Sequence, residues 1–178
     1  MIITISGDAS TGKTTIAERL SKELNIPYFY AGAIFRDIAK EKNLSVTELS
    51  QNAHMSPDID RTIDEKMITI LQTQTDGVVE GRLSGYLAWK YHTPSIRIFL
   101  KASPRVQASR IANREGYSIE ECLKEVATRD TKDWERYKIL YDINKNDEES
   151  WHTDIIDTDE LDIEGVYTEV KRILSSKF

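Results

Sequence analysis

One segment near the amino terminus limits the possible folds more than any other part of the sequence. A short apolar run with β-branched residues, Met1 to Ser6, leads directly into Gly7-Asp8-Ala9-Ser10-Thr11-Gly12-Lys13-Thr14. Apolar residues then recur every four positions, at Ile16, Leu20 and Leu24, which is the spacing of one helix face. The pattern GxxxxGKT between a strand and a helix is typical of a loop whose backbone N–H groups surround a phosphate. The sequence therefore predicts an α/β fold that binds a nucleoside triphosphate after its first strand.

Each part of this loop has an expected task. The glycines let the backbone curl around a phosphate, and the helix that begins at Lys13 adds the positive end of its dipole. Lys13 is expected to reach the outer phosphates as a catalytic residue, while the hydroxyl group of Thr14 is expected to bind Mg²⁺. The carboxylate of Asp8 is expected to point to solvent, because an acid would repel the bound anion. The predicted nucleotide-binding residues are Gly7, Asp8, Ala9, Ser10, Thr11, Gly12, Lys13, Thr14 and Thr15.

The composition is that of one ordinary globular domain. The chain has 178 residues, of which 39% are hydrophobic and 30% charged, and its formal net charge is -6. An acidic chain without an apolar stretch of about 18 residues is a poor candidate for binding nucleic acid or crossing a membrane. The single cysteine, Cys122, cannot form an internal disulfide, which indicates a reducing, cytoplasmic location. A monomer is the simplest expectation.

Five short runs of apolar or β-branched residues predict strands, and helical patterns separate them. The runs are Met1 to Ser6, Pro27 to Tyr30, Gly77 to Glu80, Ile96 to Leu100 and Asp154 to Asp157. Strands that alternate with helices form a mostly parallel sheet with helices on both faces. We therefore expect a three-layer α/β fold with a five-stranded sheet in a single domain.

Two stretches between the strands are longer than a crossover requires. Residues 32–75 carry a helical pattern with Ile59, Ile63 and Met67 on one face, and residues 110–141 are rich in Arg and Glu. We interpret these stretches as two insertions, the second with two helices joined near Gly116. The core would then consist of about residues 1–31, 76–114 and 142–178.

Helix starts are predicted by two local signals. Ser45 with Glu48 and Ser118 with Glu121 fit the Ser-x-x-Glu capping box. Ser-Pro pairs at Ser56 and Ser103 place a capping residue before proline at the first helical position.

The second insertion carries several arginines at helical spacing. Arg129, Asp133 and Arg136 are separated by four and three residues, and Arg110 and Arg114 by four. A guanidinium group is always charged and binds phosphate through two hydrogen bonds, so this segment can present several phosphate ligands at once. The alternative interpretation is a solvated charged helix face with salt bridges. The presence of a phosphate loop favours phosphate binding by these arginines over this alternative.

Other classes of phosphate-loop protein fit the sequence less well. Asn144-Lys145-Asn146-Asp147 spells NKxD, a guanine-binding pattern of GTPases, but it follows a charged helical segment instead of a strand. A motor ATPase usually has a longer chain, with a strand that ends beside a catalytic Glu, whereas Glu80 leads into Gly81-Arg82. A GTP-dependent switch and a non-catalytic nucleotide-binding module are kept as distant alternatives.

Three further patterns follow the phosphate loop in order. They are Gly32-Ala33-Ile34-Phe35-Arg36, then Glu80-Gly81-Arg82 with Gly85, and finally Arg129-Asp130 with Asp133 and Arg136. They resemble the patterns Gly-x-x-aromatic-Arg, acidic-Gly-Arg-x-x-Gly and Arg-Asp-x-x-Asp-x-x-Arg of nucleoside-monophosphate kinases. The closest resemblance is to the short, archaeal-like cytidylate kinases, over essentially the whole chain.

The resemblance implies a P-loop NTPase fold in which the first insertion binds the acceptor nucleotide and the second is an Arg-rich lid. The implied reaction is transfer of phosphate from magnesium-ATP to CMP or dCMP. We expect Arg36 and Arg82 to hold the acceptor phosphate and Glu80 to orient Mg²⁺ together with Thr14. Lid closure is expected to bring three catalytic arginines to the transferring group, namely Arg110, Arg114 and Arg129. The expected substrate-binding residues are Arg36, Gly81, Arg82, Arg129, Asp133 and Arg136.

The choice of base depends on positions where this sequence differs from the family. Tyr30 and Ala31 stand where many cytidylate kinases have Asp-Ser or a similar pair, and Leu83 stands where Asp is common. A carboxylate such as that of Asp133 can accept a hydrogen bond from the exocyclic amine of cytosine. A kinase for another nucleoside monophosphate, or for another small acceptor such as dephospho-coenzyme A, is the alternative.

Overall fold

A five-stranded parallel sheet forms the centre of the molecule. The structure, a computed structural model, describes residues 1–45, 48–49 and 57–177. Within these residues the strands are β1 (Ile2–Gly7), β2 (Tyr28–Tyr30), β3 (Gly77–Glu80), β4 (Ser95–Lys101) and β5 (Asp154–Asp157). Their order across the sheet is β2-β3-β1-β4-β5, and every pairing is parallel. The predicted strands and the predicted α/β class are confirmed, with boundaries that differ by at most one residue at either end.

Helices cover both faces of the sheet, so the molecule has three layers. They are α1 (Lys13–Leu24), α2 (Ala31–Glu41), α3 (Pro57–Thr73), α4 (Ser84–Lys90), α5 (Pro104–Glu115), α6 (Ile119–Tyr141), a 3-10 helix (Lys145–Trp151) and α7 (Ile163–Ser175). On one face α1 and α7 pack against β1 and β4. On the other face α2, α3, α4 and the 3-10 helix form a second core. In the described ranges no helix is long and apolar enough to span a membrane.

The predicted capping signals are satisfied by hydrogen bonds. Ser118 accepts from the backbone N–H of Glu121 at 3.2 Å, and the Glu121 carboxylate accepts from the N–H of Ser118 at 3.1 Å. Ser45 and Glu48 make the same reciprocal pair. Ser103 caps α5, which ends at Gly116 in the left-handed conformation, so the predicted break between α5 and α6 is confirmed. The Ser56-Pro57 signal includes Ser56, which lies outside the described residues.

The order of the strands creates a cleft at the end of β1. The chain runs from β1 to β2 and β3 on one side, and then to β4 and β5 on the other. Ligands of open α/β sheets bind where the order reverses in this way, beyond the carboxyl ends of the strands. Gly7 ends β1 with φ 147°, and a Cβ there would lie 2.2 Å from the carbonyl oxygen of Leu100. Only glycine allows the backbone to pass this close to Leu100. Gly7 therefore lets the loop begin directly at the end of β1.

An aromatic cluster joins α4, α6 and the 3-10 helix beside this cleft. The rings of Tyr86 and Trp151 are 4.8 Å apart in an edge-to-face arrangement, and Trp89, Trp134 and Tyr141 surround them. Trp151 is 3% exposed, whereas Trp89 is 44% exposed. The cluster therefore has rings inside the core, Trp151 among them, and one ring at its edge, that of Trp89.

Truncating the buried ring should destabilise the protein far more than truncating the exposed one. We expect Trp151→Ala to lower the free energy of unfolding by about 3–5 kcal/mol, because it leaves a cavity among three elements. Trp89→Ala in the same cluster should cost less than about half of this. Urea unfolding followed by circular dichroism measures both values, and equal losses would contradict this account of the cluster.

Candidate active site

The phosphate loop is fixed by hydrogen bonds of its own backbone. The N–H of Asp8 donates to the carbonyl oxygen of Leu100 at 3.1 Å, which ties the loop to β4. The hydroxyl group of Thr11 donates to the carbonyl oxygen of Asp8 at 2.9 Å. Ser10 and Gly12 adopt φ angles of 56° and 84°, in the left-handed region. The loop is therefore curled, as an anion cradle requires.

The side chain of Asp8 does not point to solvent, and that expectation was wrong. Its carboxylate accepts a hydrogen bond from the backbone N–H of Ala102 at 3.1 Å, just beyond β4. Burial raises the pKa of Asp8, while this N–H partly opposes the rise. The acid thus serves as an acceptor for a backbone donor at the end of the sheet, and it fixes the loop a second time to the same strand.

Lys13 lies at the centre of the cleft in an unfavourable electrostatic position. Its ammonium group donates to the carbonyl oxygen of Asp8. Burial is the main cause that lowers the pKa of Lys13 to about 8, and the nearby charges of Arg82 and Arg129 lower it further. Glu80 acts in the opposite direction. Because cationic groups converge on this position, a bound anion would relieve their repulsion.

Thr14 and Glu80 form an oxygen-rich pair next to Lys13. The Thr14 hydroxyl group donates to Oε2 of Glu80 at 3.3 Å, and the hydroxyl group of Tyr28 donates to the same oxygen at 2.6 Å. Burial is the first cause that raises the pKa of Tyr28, and the hydrogen bond to Glu80 is the second. A hydroxyl and a carboxylate are hard ligands of the type that Mg²⁺ uses together with water and phosphate oxygens. The residues present therefore fit a nucleotide-bound Mg²⁺, although no group of three or more His, Cys, Asp or Glu in the described chain could hold a metal by itself.

A pocket of about 220 Å³ opens on the far side of Arg82. Arg82 forms an ion pair with Asp133, and Arg136 forms a second with the other carboxylate oxygen of Asp133 at 2.9 Å. Arg129 lines the same pocket. The pocket is formed by α3, the segment after β3, and α6, with the lining residues Ala31, Asp60, Ile63, Asp64, Met67, Gly81, Arg82, Leu83, Ser84, Leu87, Arg129, Asp133, Arg136, Tyr137 and Leu140. Five of the six expected substrate-binding residues thus meet in one place.

Two carboxylates that line this pocket, and a tyrosine that donates to one of them, were missed by the sequence analysis. Asp60 lies 3.1 Å from Nε of Arg136, and the hydroxyl group of Tyr141 donates to Oδ2 of Asp64. Asp60 and Asp64 are four residues apart on α3, beside the apolar face that contains Ile63. Two acids at this spacing on the border of an apolar helix face were the available signal.

The remaining expected arginines lie outside the lining of this pocket. Arg36 donates to the hydroxyl group of Tyr30 at the end of β2. Arg110 donates to the carbonyl oxygens of Ser10, Thr158 and Leu161, between the phosphate loop and the start of α7. Arg114 is exposed and pairs with the neighbouring Glu115 at 2.7 Å. Arg110 is thus adjacent to the loop, whereas Arg114 faces solvent in this conformation.

The NKxD segment does not have the surroundings of a guanine-binding pattern. Asn144 caps the 3-10 helix through a reciprocal pair with Asp147, and the segment follows α6 instead of a strand. Lys145 forms an ion pair with Asp130 of α6. These contacts account for the segment through helix capping and packing.

The phosphate loop lies where the strand order of a parallel sheet reverses, and an arginine-lined pocket lies near it. Together these features define a protein of the P-loop kinase class. Consistent with this class, the fold is similar to that of shikimate kinase from Bacteroides thetaiotaomicron, with a TM-score of 0.63 and 17% identity over 98% of this chain and 96% of that one. Residues 2–160 match the Cytidylate kinase-like family. A Cytidylate kinase of Pyrococcus abyssi is 39% identical over 96% of this chain and 92% of its own length. A second Cytidylate kinase, of Methanococcus aeolicus, is 39% identical over 99% of both chains. The chain therefore belongs to the cytidylate kinase-like family.

Replacing Lys13 by Met should weaken nucleotide binding without weakening the fold. We expect the affinity for magnesium-ATP to fall roughly 10- to 100-fold, because a hydrogen bond between charged groups contributes about 1.5–3 kcal/mol. Isothermal titration calorimetry measures this loss. Lys22→Met, on the exposed side of α1, is the matched control and should bind normally.

The same variant tests the electrostatic position of Lys13 through the pH dependence of stability. The folded-state pKa of about 8 lies below the ordinary value of 10.5, so folding disfavours the charged form. This penalty is complete below pH 8 and disappears as the pH rises to about 10.5. Ligand-free Lys13→Met should therefore unfold at higher urea concentration than the wild type at pH 7, by a margin that shrinks between these two pH values. A variant that is less stable at pH 7 would argue against this position for the lysine.

Proposed function

We propose that this protein is an ATP-dependent nucleoside-monophosphate kinase that phosphorylates CMP and dCMP. The observation that carries the proposal is that Arg82, which lines the acceptor pocket, lies near enough for its charge to act on Lys13 of the phosphate loop. Two anions bound end to end, one by Lys13 and the other by Arg82, would meet between these two residues. The names of the relatives, Cytidylate kinase, support CMP as the acceptor.

The donor half of the site is the curled loop and the start of α1. Backbone N–H groups from Gly7 to Thr15 and the ammonium group of Lys13 hold the phosphates of ATP. Thr14 and Glu80 provide the protein oxygens for Mg²⁺, which when bound neutralises charge on the outer phosphates. Tyr28 keeps the Glu80 carboxylate oriented through its 2.6 Å hydrogen bond.

The acceptor half binds the nucleoside monophosphate by its charged end. Arg82 and Arg36 hold its phosphate in line with the donor, while Gly81 lets the chain pass close to Met67. Asp133 orients both Arg82 and Arg136, since each of its oxygens pairs with one guanidinium group. A guanidinium group has five N–H donors, so Arg82 can keep Asp133 and still bind phosphate.

The lid completes the site during transfer. Closure of α5 and α6 brings Arg110, Arg114 and Arg129 to the transferring phosphoryl group. It also excludes water, which would otherwise accept the phosphate. Phosphoryl transfer passes through a loose transition state, so alignment and charge neutralisation account for most of the catalysis. The acidic composition and the single cysteine support our further proposal of a cytoplasmic monomer.

A panel of acceptors tests the proposal directly. With magnesium-ATP as donor, we expect CMP and dCMP to be phosphorylated with kcat/KM at least about tenfold above UMP, AMP and GMP, because one well-formed base contact contributes about 1–3 kcal/mol of discrimination. A coupled assay for ADP release measures the rates, and ATP hydrolysis without acceptor should be slow. Turnover of none of these nucleotides, or preferred use of dephospho-coenzyme A, would reject CMP as the acceptor.

Arg36→Ala tests which half of the site this arginine serves. We expect the KM for CMP to rise about tenfold or more, since a charge-assisted hydrogen bond to phosphate is lost, while the KM for ATP stays within about twofold. Arg105→Ala, an exposed arginine of α5, is the control and should leave both constants unchanged. An increase confined to the KM for ATP would move Arg36 to the donor half.

A further inference from the structure

The acceptor pocket is lined by charged side chains, by apolar side chains and by a further carboxylate. Arg82 and Asp133 form an ion pair within this lining. Ile63, Leu83 and Leu87 are among its apolar residues. Asp64, one helical turn beyond Asp60 on α3, lines the same pocket and accepts a hydrogen bond from Tyr141 behind it. A nucleotide whose phosphate reaches Arg82 would therefore have apolar side chains and the Asp64 carboxylate within the same pocket as its base.

The other two carboxylates of the pocket are already engaged by arginine. Asp133 uses one oxygen for Arg82 and the other for Arg136. Asp60 lies against Arg136 at 3.1 Å. By contrast, the hydrogen-bond partner of Asp64 is neutral: the hydroxyl group of Tyr141 donates to Oδ2. The charges of Asp60 and Arg136 act on Asp64 from farther away and in opposite directions. A carboxylate has about four acceptor positions, so this one keeps capacity for a donor from the ligand.

Asp64 is also poorly solvated. Burial raises its pKa to about 6, while the hydrogen bond from Tyr141 lowers it. Near neutral pH the group is mostly ionised without the full solvation that water would give. A neutral N–H donor from a ligand would satisfy it at little cost, whereas a carbonyl oxygen in the same place would be repelled.

We propose that Asp64 is a specificity-determining residue that accepts a hydrogen bond from the exocyclic amine of the acceptor pyrimidine, and that Tyr141 is the positioning residue that holds its carboxylate. The inference rests on the proposed function and extends it to the choice of base. Cytosine presents an amine at this position of the ring and uracil presents a carbonyl oxygen. The Asp64 carboxylate therefore separates CMP from UMP.

Asp64→Asn tests the inference through the ratio of two acceptors. The amide keeps the size of the side chain, but it can donate to the carbonyl oxygen of uracil. We expect kcat/KM for CMP to fall about tenfold or more through a higher KM, and the ratio of kcat/KM for CMP over UMP to fall by at least the same factor. Glu65→Gln makes the same chemical change at the next, exposed residue of α3 and should leave both acceptors within about twofold.

The possible outcomes distinguish this inference from the proposed function. If Asp64→Asn reduces turnover of CMP and UMP by equal factors, the contact with Tyr141 is structural and the inference is rejected, although the kinase function stands. If the wild type phosphorylates neither nucleotide, the proposed function fails and the inference fails with it.

Tyr141→Phe provides a second test in case Asp64→Asn does not fold, which thermal melting would reveal. It keeps the carboxylate and removes only the hydroxyl donor. We expect the CMP over UMP ratio to fall about two- to tenfold, because the carboxylate is less well oriented. An unchanged ratio in a folded Tyr141→Phe protein with normal kcat would overturn the positioning role and leave Asp64 without the support on which the inference depends.

Discussion

Positive charges that repel one another in the cleft are the constraint on which the rest of the site depends. The neighbouring acceptor groups are placed to compensate these charges. Lys13 is half-buried and has Arg82 and Arg129 nearby, and these surroundings lower its pKa. The carbonyl oxygen of Asp8 and the carboxylate of Glu80 partly compensate the charge of the lysine. Asp133 does the same for Arg82. The folded chain thus keeps an arrangement of charges that only bound anions complete, which is the condition for binding two phosphorylated molecules close together.

Rigidity of the phosphate loop is the second requirement, and it comes from β4. The loop is tied to this strand by the N–H of Asp8, which donates to Leu100, and by its carboxylate, which accepts from Ala102. Gly7 allows the approach because a side chain there would collide with the backbone of Leu100. Little ordering of the loop is then needed when a nucleotide binds, and less of the binding energy is lost to conformational entropy.

The sequence predicted the features that depend on neighbouring residues. Strands such as β3 and β5 follow from short β-branched runs between turn residues. The capping box at Ser118 follows from Glu121, three positions further along the chain. The missed contacts join distant parts of the chain. Asp8 and Ala102 are 94 residues apart, Tyr28 and Glu80 are 52 apart, and Asp64 and Tyr141 are 77 apart. No local pattern encodes such pairs, because they form only when the sheet and its helices pack. The division into core, acceptor-binding insertion and lid, with the roles of the individual arginines, stays a prediction.

The differences from the common cytidylate kinase pattern have a structural consequence at the base. Ala31 and Leu83 stand where polar residues are frequent in the family, and both line the acceptor pocket as apolar wall. An apolar wall can hold the face of a pyrimidine, but it cannot distinguish the hydrogen-bonding groups on its edge. Under the proposed function, discrimination therefore depends on the polar side chains of the pocket, among them those of α3 and α6. Those helices supply carboxylates in two electrostatic settings, one paired with arginine at Asp133 and one paired with a hydroxyl group at Asp64. The first setting suits the orientation of a phosphate ligand, and the second suits contact with a neutral amine. Under the two proposals, the choice of base and the binding of the phosphate depend on different carboxylates, so the two properties can change independently.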